Sequence, residues 1–198
     1  MIEVEKKFIL SEKDIARLVE GAEFLSDHVF TDTYYDTEDL ALGKNDMWLR
    51  SRNGRFDLKI PKHADGGEMS QQYQEIEGEE KIRQIFDLVQ RGDFLQDISK
   101  YGYVELCNLK TTRKKYRKEN FIIDLDIVEA EGFNYTIGEI ELMVENETEM
   151  PSAIKAIEEF AEGRGLESKP VNGKVREYLK RKKPEKYQAL VDVGVMKA

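Results

Sequence analysis

The chain has 198 residues, 40% of them hydrophobic and 36% charged, with a net charge of −9, so it suits one domain with a core and lacks the basic surface of proteins that grip nucleic acid. Its single cysteine, Cys107, excludes an intrachain disulfide and favours a reducing compartment, while only two histidines leave oxygen atoms as the ligands of any metal. The charged start MIEVEKKF is no signal peptide and no apolar run approaches the ~18 residues of a membrane span, so we expect a cytoplasmic monomer that binds neither nucleic acid nor membrane.

Alternation of polar and apolar residues predicts eight strands. They lie near 2–10, 28–36, 46–52, 55–60, 70–77, 100–112, 119–127 and 134–145. Predicted helices cover 12–21, 78–91, 151–162, 173–182 and a short segment from Pro184, and the stretch 61–69 is typical of a mobile loop. Because most strands are consecutive, we expect an α+β fold: an antiparallel, closed β-barrel with helices packed outside.

Charged residues share one face of nearly every predicted strand, because successive side chains of a strand point to opposite faces. The sets are Glu3, Glu5 and Lys7; Arg50 and Arg52; Asp57 and Lys59; Glu75 and Glu77; Asp124 and Asp126; and Glu139 and Glu141. One interpretation is an ordinary antiparallel sheet with a hydrated outer face. The other is that helices cover the apolar face, so that the charges line the inside of the barrel. Buried charges are costly unless they are paired or bound to a ligand.

A charged barrel interior suits a small, highly charged ligand together with cations. Arginine and lysine bind phosphate oxygens, arginine often through two hydrogen bonds. Carboxylates hold Mg²⁺ or Mn²⁺, which in turn bridges phosphate oxygens and positions water. The sequence contains neither a P-loop nor the kinase motifs. It therefore indicates a metal-dependent enzyme acting on a small triphosphate.

The first strand carries Glu3-Val-Glu-Lys-Lys7, an E-x-E-x-K pattern followed by charged pairs in a fixed order. Over about residues 2–190 this arrangement resembles the CYTH group, the triphosphate tunnel metalloenzymes, and most closely its animal thiamine-triphosphatase branch. The other segments that carry the resemblance are 32–37, 48–52, 58–59, 73–75, 124–126, 138–141 and 174–179. The resemblance implies an eight-stranded antiparallel tunnel formed by one CYTH-like domain over residues 1–198.

The resemblance also implies roles for individual residues. The expected triphosphate clamp is Lys7, Arg50, Arg52, Lys59, Arg113 and Lys174. The expected metal-binding carboxylates are Glu3, Glu5, Asp124, Asp126, Glu139 and Glu141, with Glu139 and Glu141 foremost for Mg²⁺, or Mn²⁺ in its place. Glu75 matches a carboxylate of the family without a defined role. Asp57 and Glu77 match no residue of the family with an assigned role, and both are expected to pair with neighbouring cations.

Two aromatic residues carry sharper hypotheses. Tyr34 resembles a tyrosine that the branch pairs with the signature lysine, here Lys7, and such a pair would lower the proton affinity of the phenol and let it accept a proton from water. Alternatively, Tyr34 is a buried tyrosine with a local hydrogen bond. Trp48, the only tryptophan, shares a face with Arg50 and stands where the branch has a tryptophan. It either stacks on an organic cation such as thiamine or belongs to the core.

Two other features favour plain structural interpretations. Cys107 is expected to be a small buried side chain. The basic run Arg113-Lys-Lys-Tyr-Arg-Lys118 could suggest a nucleic-acid patch, but we expect a hairpin rim on which only Arg113 points inward.

The first functional hypothesis is hydrolysis of thiamine triphosphate to the diphosphate with Mg²⁺. Its rivals are an inorganic tripolyphosphatase with the same tunnel, a nucleotide cyclase, a polyphosphate-binding module without turnover, and a structural barrel with a hydrated charged face.

Overall fold

The computed structural model describes residues 2–61, 73–167, 169 and 171–196. The chain divides into a first unit, Met1–Phe30 with Lys110–Lys174, and a second unit, Thr31–Leu109 with Val175–Ala198. The boundaries after Phe30 and after Leu109 each fall inside a long strand, so two strands have residues in both units. That the whole chain acts as one domain stays a prediction.

Eight strands and six α-helices lie in the described part of the chain. In order they are β1 (Ile2–Ile9), α1 (Glu12–Val19), β2 (Glu23–Thr37), β3 (Trp48–Arg52), β4 (Arg55–Pro61), β5 (Tyr73–Glu77), α2 (Glu79–Ile85), α3 (Phe94–Lys100), β6 (Tyr103–Lys118), β7 (Phe121–Ala130), β8 (Phe133–Val144), α4 (Met150–Glu162), α5 (Lys174–Lys182) and α6 (Pro184–Asp192). None of the helices in this part of the chain combines the length and apolar composition that crossing a membrane requires.

The strands form one sheet in the order β1-β8-β7-β6-β2-β3-β4-β5. An α+β fold with eight antiparallel strands is therefore confirmed. Because β1 and β5 stand at the two ends of this order, hydrogen bonds among the described residues do not close the sheet into a ring. Closure requires the end strands to pair, and the five described residues of β5 pair with β4.

In the first unit, helices cover the apolar face of the sheet, as the sequence predicted. Phe8 of β1 and Ile140 of β8 pack with Leu18 of α1 and Ile157 of α4 in one buried cluster. Helix α1 is capped at its N-terminus by Ser11, whose side chain accepts a hydrogen bond from the Asp14 amide while the Asp14 side chain accepts one from the Ser11 amide. This capping box satisfies two backbone donors that a helix start leaves unpaired.

The second unit repeats the arrangement with its own core. Leu49 of β3 and Leu58 of β4 are fully buried and pack with Ile82 of α2 and Ile98 of α3. Leu58 stands between Asp57 and Lys59 in β4, and Leu49 stands between Trp48 and Arg50 in β3. The charged side chains therefore lie on the sheet face opposite the helices in each unit.

Three predicted elements have clearly different bounds in the structure. Strand β2 begins at Glu23, five residues before the predicted start at residue 28. The helix predicted over 78–91 ends at Ile85, and a separate helix, α3, follows, because the Asp93 side chain accepts from the Gln96 amide at 2.8 Å and starts it. Strand β6 continues to Lys118 rather than ending near residue 112. The predicted loop 61–69 lies outside the described residues apart from Pro61, which ends β4.

Candidate metal centre and phosphate-binding side chains

Strand register gathers the predicted charges of the first unit on one sheet face. Lys7 of β1 lies opposite Glu139 of β8, and Glu139 lies opposite Asp124 of β7. Asp124 in turn lies opposite Lys115 of β6. Since directly opposed residues of antiparallel strands share a face, the period-two pattern of four strands becomes a continuous charged surface.

Six carboxylates on this face form what we call the carboxylate cluster: Glu3, Glu5, Asp124, Asp126, Glu139 and Glu141. Within it, Asp124, Glu139 and Glu141 offer oxygens that lie within 4.8 Å of one another, and so do Glu3, Glu5 and Glu141. Glu141 belongs to both groups. Such sets of oxygen ligands are what Mg²⁺ and Mn²⁺ prefer.

Arg113 contacts three of the six acids of the carboxylate cluster. Its Nε and Nη2 donate to the two oxygens of Asp126 at 2.6 and 2.7 Å, and Nη2 also donates to Glu139 at 2.8 Å. Its Nη1 forms an ion pair with Asp124. Burial alone would lower the pKa of Arg113, but Asp126, Glu139 and Asp124 outweigh it and raise the pKa. The guanidinium is therefore a permanent positive charge among these acids.

Lys7 and Lys174 approach the cluster from other elements. Lys7 pairs with Glu5 and lies 3.6 Å from Glu139, and these acids raise its pKa although burial opposes them. The Lys174 Nζ lies 2.5 Å from Asp126 and 4.9 Å from the centre of the Phe30 ring. Here burial prevails over Asp126 and lowers the pKa of Lys174.

Lys115 is a cation of this face that the sequence analysis misassigned. Its Nζ lies 3.0 Å from Asp124 and 3.3 Å from Glu141, so the prediction that only Arg113 of the basic run points inward was wrong. The cause is the length of β6, because a strand that continues to Lys118 keeps Lys115 on the face of Arg113. Extending the period of two beyond residue 112 would have found it.

Asp124 and Glu141 fit a divalent cation. Asp124 is fully buried, and although Arg113 and Lys115 approach it, neither of its oxygens accepts a well-directed hydrogen bond within the described residues. Burial, helped by Asp124 and Glu3, raises the pKa of Glu141 to about 8. Six carboxylates face four cations (Lys7, Arg113, Lys115 and Lys174). This excess of negative charge is what a bound metal would neutralise.

Asp126 stands apart from both groups of potential ligands. Arg113 and Lys174 occupy its oxygens. Its assignment as a metal ligand stays a prediction, and in this structure Asp126 positions two cations.

In the second unit, the predicted clamp residues form acid–base pairs along one face. Arg52 binds both oxygens of Asp32 at 2.7 and 3.0 Å. Arg50 pairs with Asp57 at 3.0 Å, as expected for Asp57. Lys59 pairs with Glu75 at 2.6 Å, which gives Glu75 a partner. The partner of Arg52 was not predicted, although Asp32 lies directly opposite it in the register.

Tyr34 lies on the same face, opposite Arg50. The side chain is buried, and burial raises the pKa of its phenol well above the usual value despite the opposing influence of Arg50. These surroundings within the unit therefore strengthen the hold of the phenol on its proton, while the predicted pairing of Tyr34 with Lys7 stays a prediction. A role for Tyr34 as a proton acceptor stays a prediction.

Trp48 shares this face too, as its spacing from Arg50 predicted. It lies opposite Lys59 in the strand register. It is only 6% exposed, and its Nε1 donates to Asp46 at 2.9 Å. Arg176 of α5 lies with its guanidinium carbon 5.8 Å from the ring centre. The sequence analysis assigned nothing to Arg176 or Asp46, and no local pattern joins residues so far apart in the chain.

Residues 1–171 match the CYTH domain family. The chain belongs to the CYTH domain family. The thiamine-triphosphatase of Macaca fascicularis is 31% identical over 213 residues, which cover 100% of this chain and 92% of that protein. The thiamine-triphosphatase of Homo sapiens is 31% identical over 212 residues, covering 98% and 91%. The resemblance drawn from Glu3-Val-Glu-Lys-Lys7 and the charged pairs is thereby confirmed.

A solved structure shares the fold of this CYTH chain. The PH1819 protein of Pyrococcus horikoshii OT3 is 26% identical, with a TM-score of 0.69 over 91% of this chain and 100% of that one. The arrangement of strands and helices is therefore one that another chain adopts over its whole length.

Proposed function

We propose that this protein hydrolyses the terminal phosphoanhydride bond of a small triphosphate with the help of a divalent metal, Mg²⁺ or Mn²⁺. The observation that carries the proposal is the carboxylate cluster, where buried acids in negative excess stand beside four cations on one sheet face. A pure phosphate-binding module needs the cations but not these acids. Family membership supports the same reaction class.

In the first unit, we assign metal binding to the acidic residues and phosphate binding to the basic residues. Asp124, Glu139 and Glu141 would hold the metal, which supplies a positive charge to phosphate oxygens and a polarised water. The side chains of Lys7 and Arg113 lie beside Glu139, where their cationic N–H groups would donate to oxygens of the transferred phosphoryl group. We assign Glu3, Glu5 and Asp126 to supporting this arrangement of charge.

Arg50, Arg52, Lys59 and Lys174 complete the proposed set of phosphate-binding cations. Each is paired with a carboxylate, so phosphate oxygens would compete with an acid for each of them. Arginine paired through two hydrogen bonds is well suited to such exchange, because phosphate offers the same geometry as carboxylate.

Thiamine triphosphate and inorganic tripolyphosphate are the two candidate substrates. The names of the relatives at 31% identity favour thiamine triphosphate. The burial of Trp48 favours tripolyphosphate, because a ring that is 6% exposed offers little surface to an organic cation. We keep both as candidate substrates. We also propose that the sheet closes into a tunnel and that the enzyme is monomeric and cytoplasmic.

The test is phosphate release from both triphosphates with and without Mg²⁺, for the wild type and Glu139→Gln. We expect release to need the metal and to fall at least about 100-fold in the variant, since even groups that only orient metal ligands contribute 10–100-fold. The matched control is Glu129→Gln, an exposed acid paired with Lys110, which should keep full activity.

A binding measurement separates lost turnover from a wrong site. Tripolyphosphate with Mg²⁺ at 100 times its dissociation constant should stabilise the wild type by about 2.7 kcal/mol. Stabilisation without phosphate release would indicate a binding module, and neither effect would refute the proposed function.

A further inference from the structure

The side chain of Trp48 is enclosed by polar groups that fix its position. Asp46 accepts hydrogen bonds from Trp48 Nε1 at 2.9 Å and from Arg176 Nη2 at 2.6 Å. The Tyr73 hydroxyl lies 3.0 Å from both Asp46 oxygens and 3.1 Å from Arg176 Nη2. We call Asp46, Tyr73 and Arg176 the tryptophan cage.

The cage already places a cation on the indole ring. The guanidinium carbon of Arg176 lies 5.8 Å from the ring centre, within the ~6 Å over which a cation is attracted to an aromatic face. The Arg176 side chain is only 8% exposed, so it is held in place rather than free to leave into solvent. A second organic cation approaching the ring would meet this charge.

The neighbouring strand adds to the same environment. Lys59 lies directly opposite Trp48 in the strand register and is paired with Glu75. Trp48 therefore has cations on the strand beside it and over its ring, each held by one acid. Such surroundings suit the oxygens of an extended polyphosphate better than a positively charged heterocycle.

We propose that Arg176 is a specificity-determining residue that selects triphosphates without a cationic organic group, because its guanidinium occupies the face of Trp48 on which such a group would stack. This proposal rests on the proposed function and refines it. It makes inorganic tripolyphosphate the preferred substrate. It also makes Arg176 the reason that thiamine triphosphate is a poor one.

The test compares kcat/KM for tripolyphosphate and for thiamine triphosphate in the wild type and in Arg176→Gln. The glutamine amide can still donate to Asp46 but carries no charge. We expect the wild type to prefer tripolyphosphate, and the variant to shift the ratio of the two values toward thiamine triphosphate by about 10-fold. A change of this size corresponds to about 1.4 kcal/mol.

Arg181→Gln is the matched control, since Arg181 lies on the same helix and pairs with Glu177 through an exposed side chain. It should leave the ratio unchanged. Equal loss of both activities in Arg176→Gln would mean that Arg176 only supports the fold. That result would overturn the proposal, as would a wild type that prefers thiamine triphosphate.

Intrinsic fluorescence gives a second readout that needs no turnover, because Trp48 is the only tryptophan of the chain. Thiamine diphosphate should leave the emission of the wild type unquenched and quench that of Arg176→Gln. If neither triphosphate is hydrolysed by any form, the proposed function fails, and this titration alone decides whether Arg176 controls access to Trp48. Identical quenching of the wild type and of Arg176→Gln would show that Arg176 does not limit access to Trp48.

Discussion

At the scale of a single residue, the positive charge of Arg113 compensates the negative charge of part of the carboxylate cluster. Arg113 contacts Asp124, Asp126 and Glu139, and two of these acids are fully buried. Removing one member of a buried ion pair leaves the other charge without compensation, which costs about 3–5 kcal/mol. A divalent cation bound among the same acids would replace part of the missing charge.

Arg113→Gln should therefore lower the free energy of unfolding of the metal-free protein by about 3 kcal/mol, and Mg²⁺ should recover part of the loss. Urea denaturation with and without Mg²⁺ measures both effects. Arg117→Gln is the control, because Arg117 lies on the same strand with a side chain that is 55% exposed and pairs with exposed Glu23. Similar losses in the two variants would contradict the special role of Arg113.

At the scale of single elements, strand β8 has core packing and a site residue at adjacent positions, because the Leu10 side chain lies against the backbone of Gly138. Gly138 lies opposite Phe8 and directly precedes Glu139. A methyl group at Gly138 would come within 2.3 Å of the Leu10 side chain, which is buried. The strand needs glycine here so that Leu10 can pack against its backbone while the next residue faces the metal site.

Gly138→Ala should lower the free energy of unfolding by about 1–3 kcal/mol through overpacking. Thermal or urea denaturation gives the value. Gly173→Ala provides the comparison, because nothing lies within 4 Å of a methyl group at that position. If the two alanine variants unfold alike, the close packing against Leu10 is not what fixes glycine in β8.

On the scale of the whole molecule, the free energy of unfolding depends on alkaline pH through two phenols, Tyr34, which is buried, and Tyr73, which is partly buried. Burial is the largest cause that raises the pKa of Tyr73 to about 12, and burial likewise raises the pKa of Tyr34. In the unfolded chain a tyrosine releases its proton near pH 10. The unfolded state therefore loses protons first, and the free energy of unfolding falls as the pH rises from about 10 toward 12.

Tyr73→Phe should make this alkaline fall shallower, because the variant has one fewer phenol with a raised pKa, while Arg176 and Asp46 remain paired with each other. Melting temperatures at pH 8, 10 and 11 test the slope. Tyr101→Phe, which removes a phenol that is 47% exposed, is the control for the loss of a tyrosine hydroxyl group. A wild-type slope in Tyr73→Phe would show that its proton is not linked to folding.

The sequence by itself determined which side chains face which way. Alternation with a period of two is a local property, so the shared face of Glu139 and Glu141, or of Trp48 and Arg50, followed from spacing alone and is confirmed by the strand register. The motif Glu3-Val-Glu-Lys-Lys7 together with the order of the pairs determined the CYTH family. The buried state of Cys107 followed from its type and is confirmed.

Tertiary structure alone decided which charge meets which. Arg176 reaches Asp46 from 130 positions away in the chain, and that contact covers the ring that spacing had left open for a substrate. Burial was equally out of reach, and it raises the pKa of the Tyr34 phenol. Lys115, in contrast, was misassigned because the predicted strand ended near residue 112, whereas β6 continues to Lys118. Spacing fixes the direction of a side chain, whereas its partners, its solvent access and hence its charge depend on segments that only folding brings together.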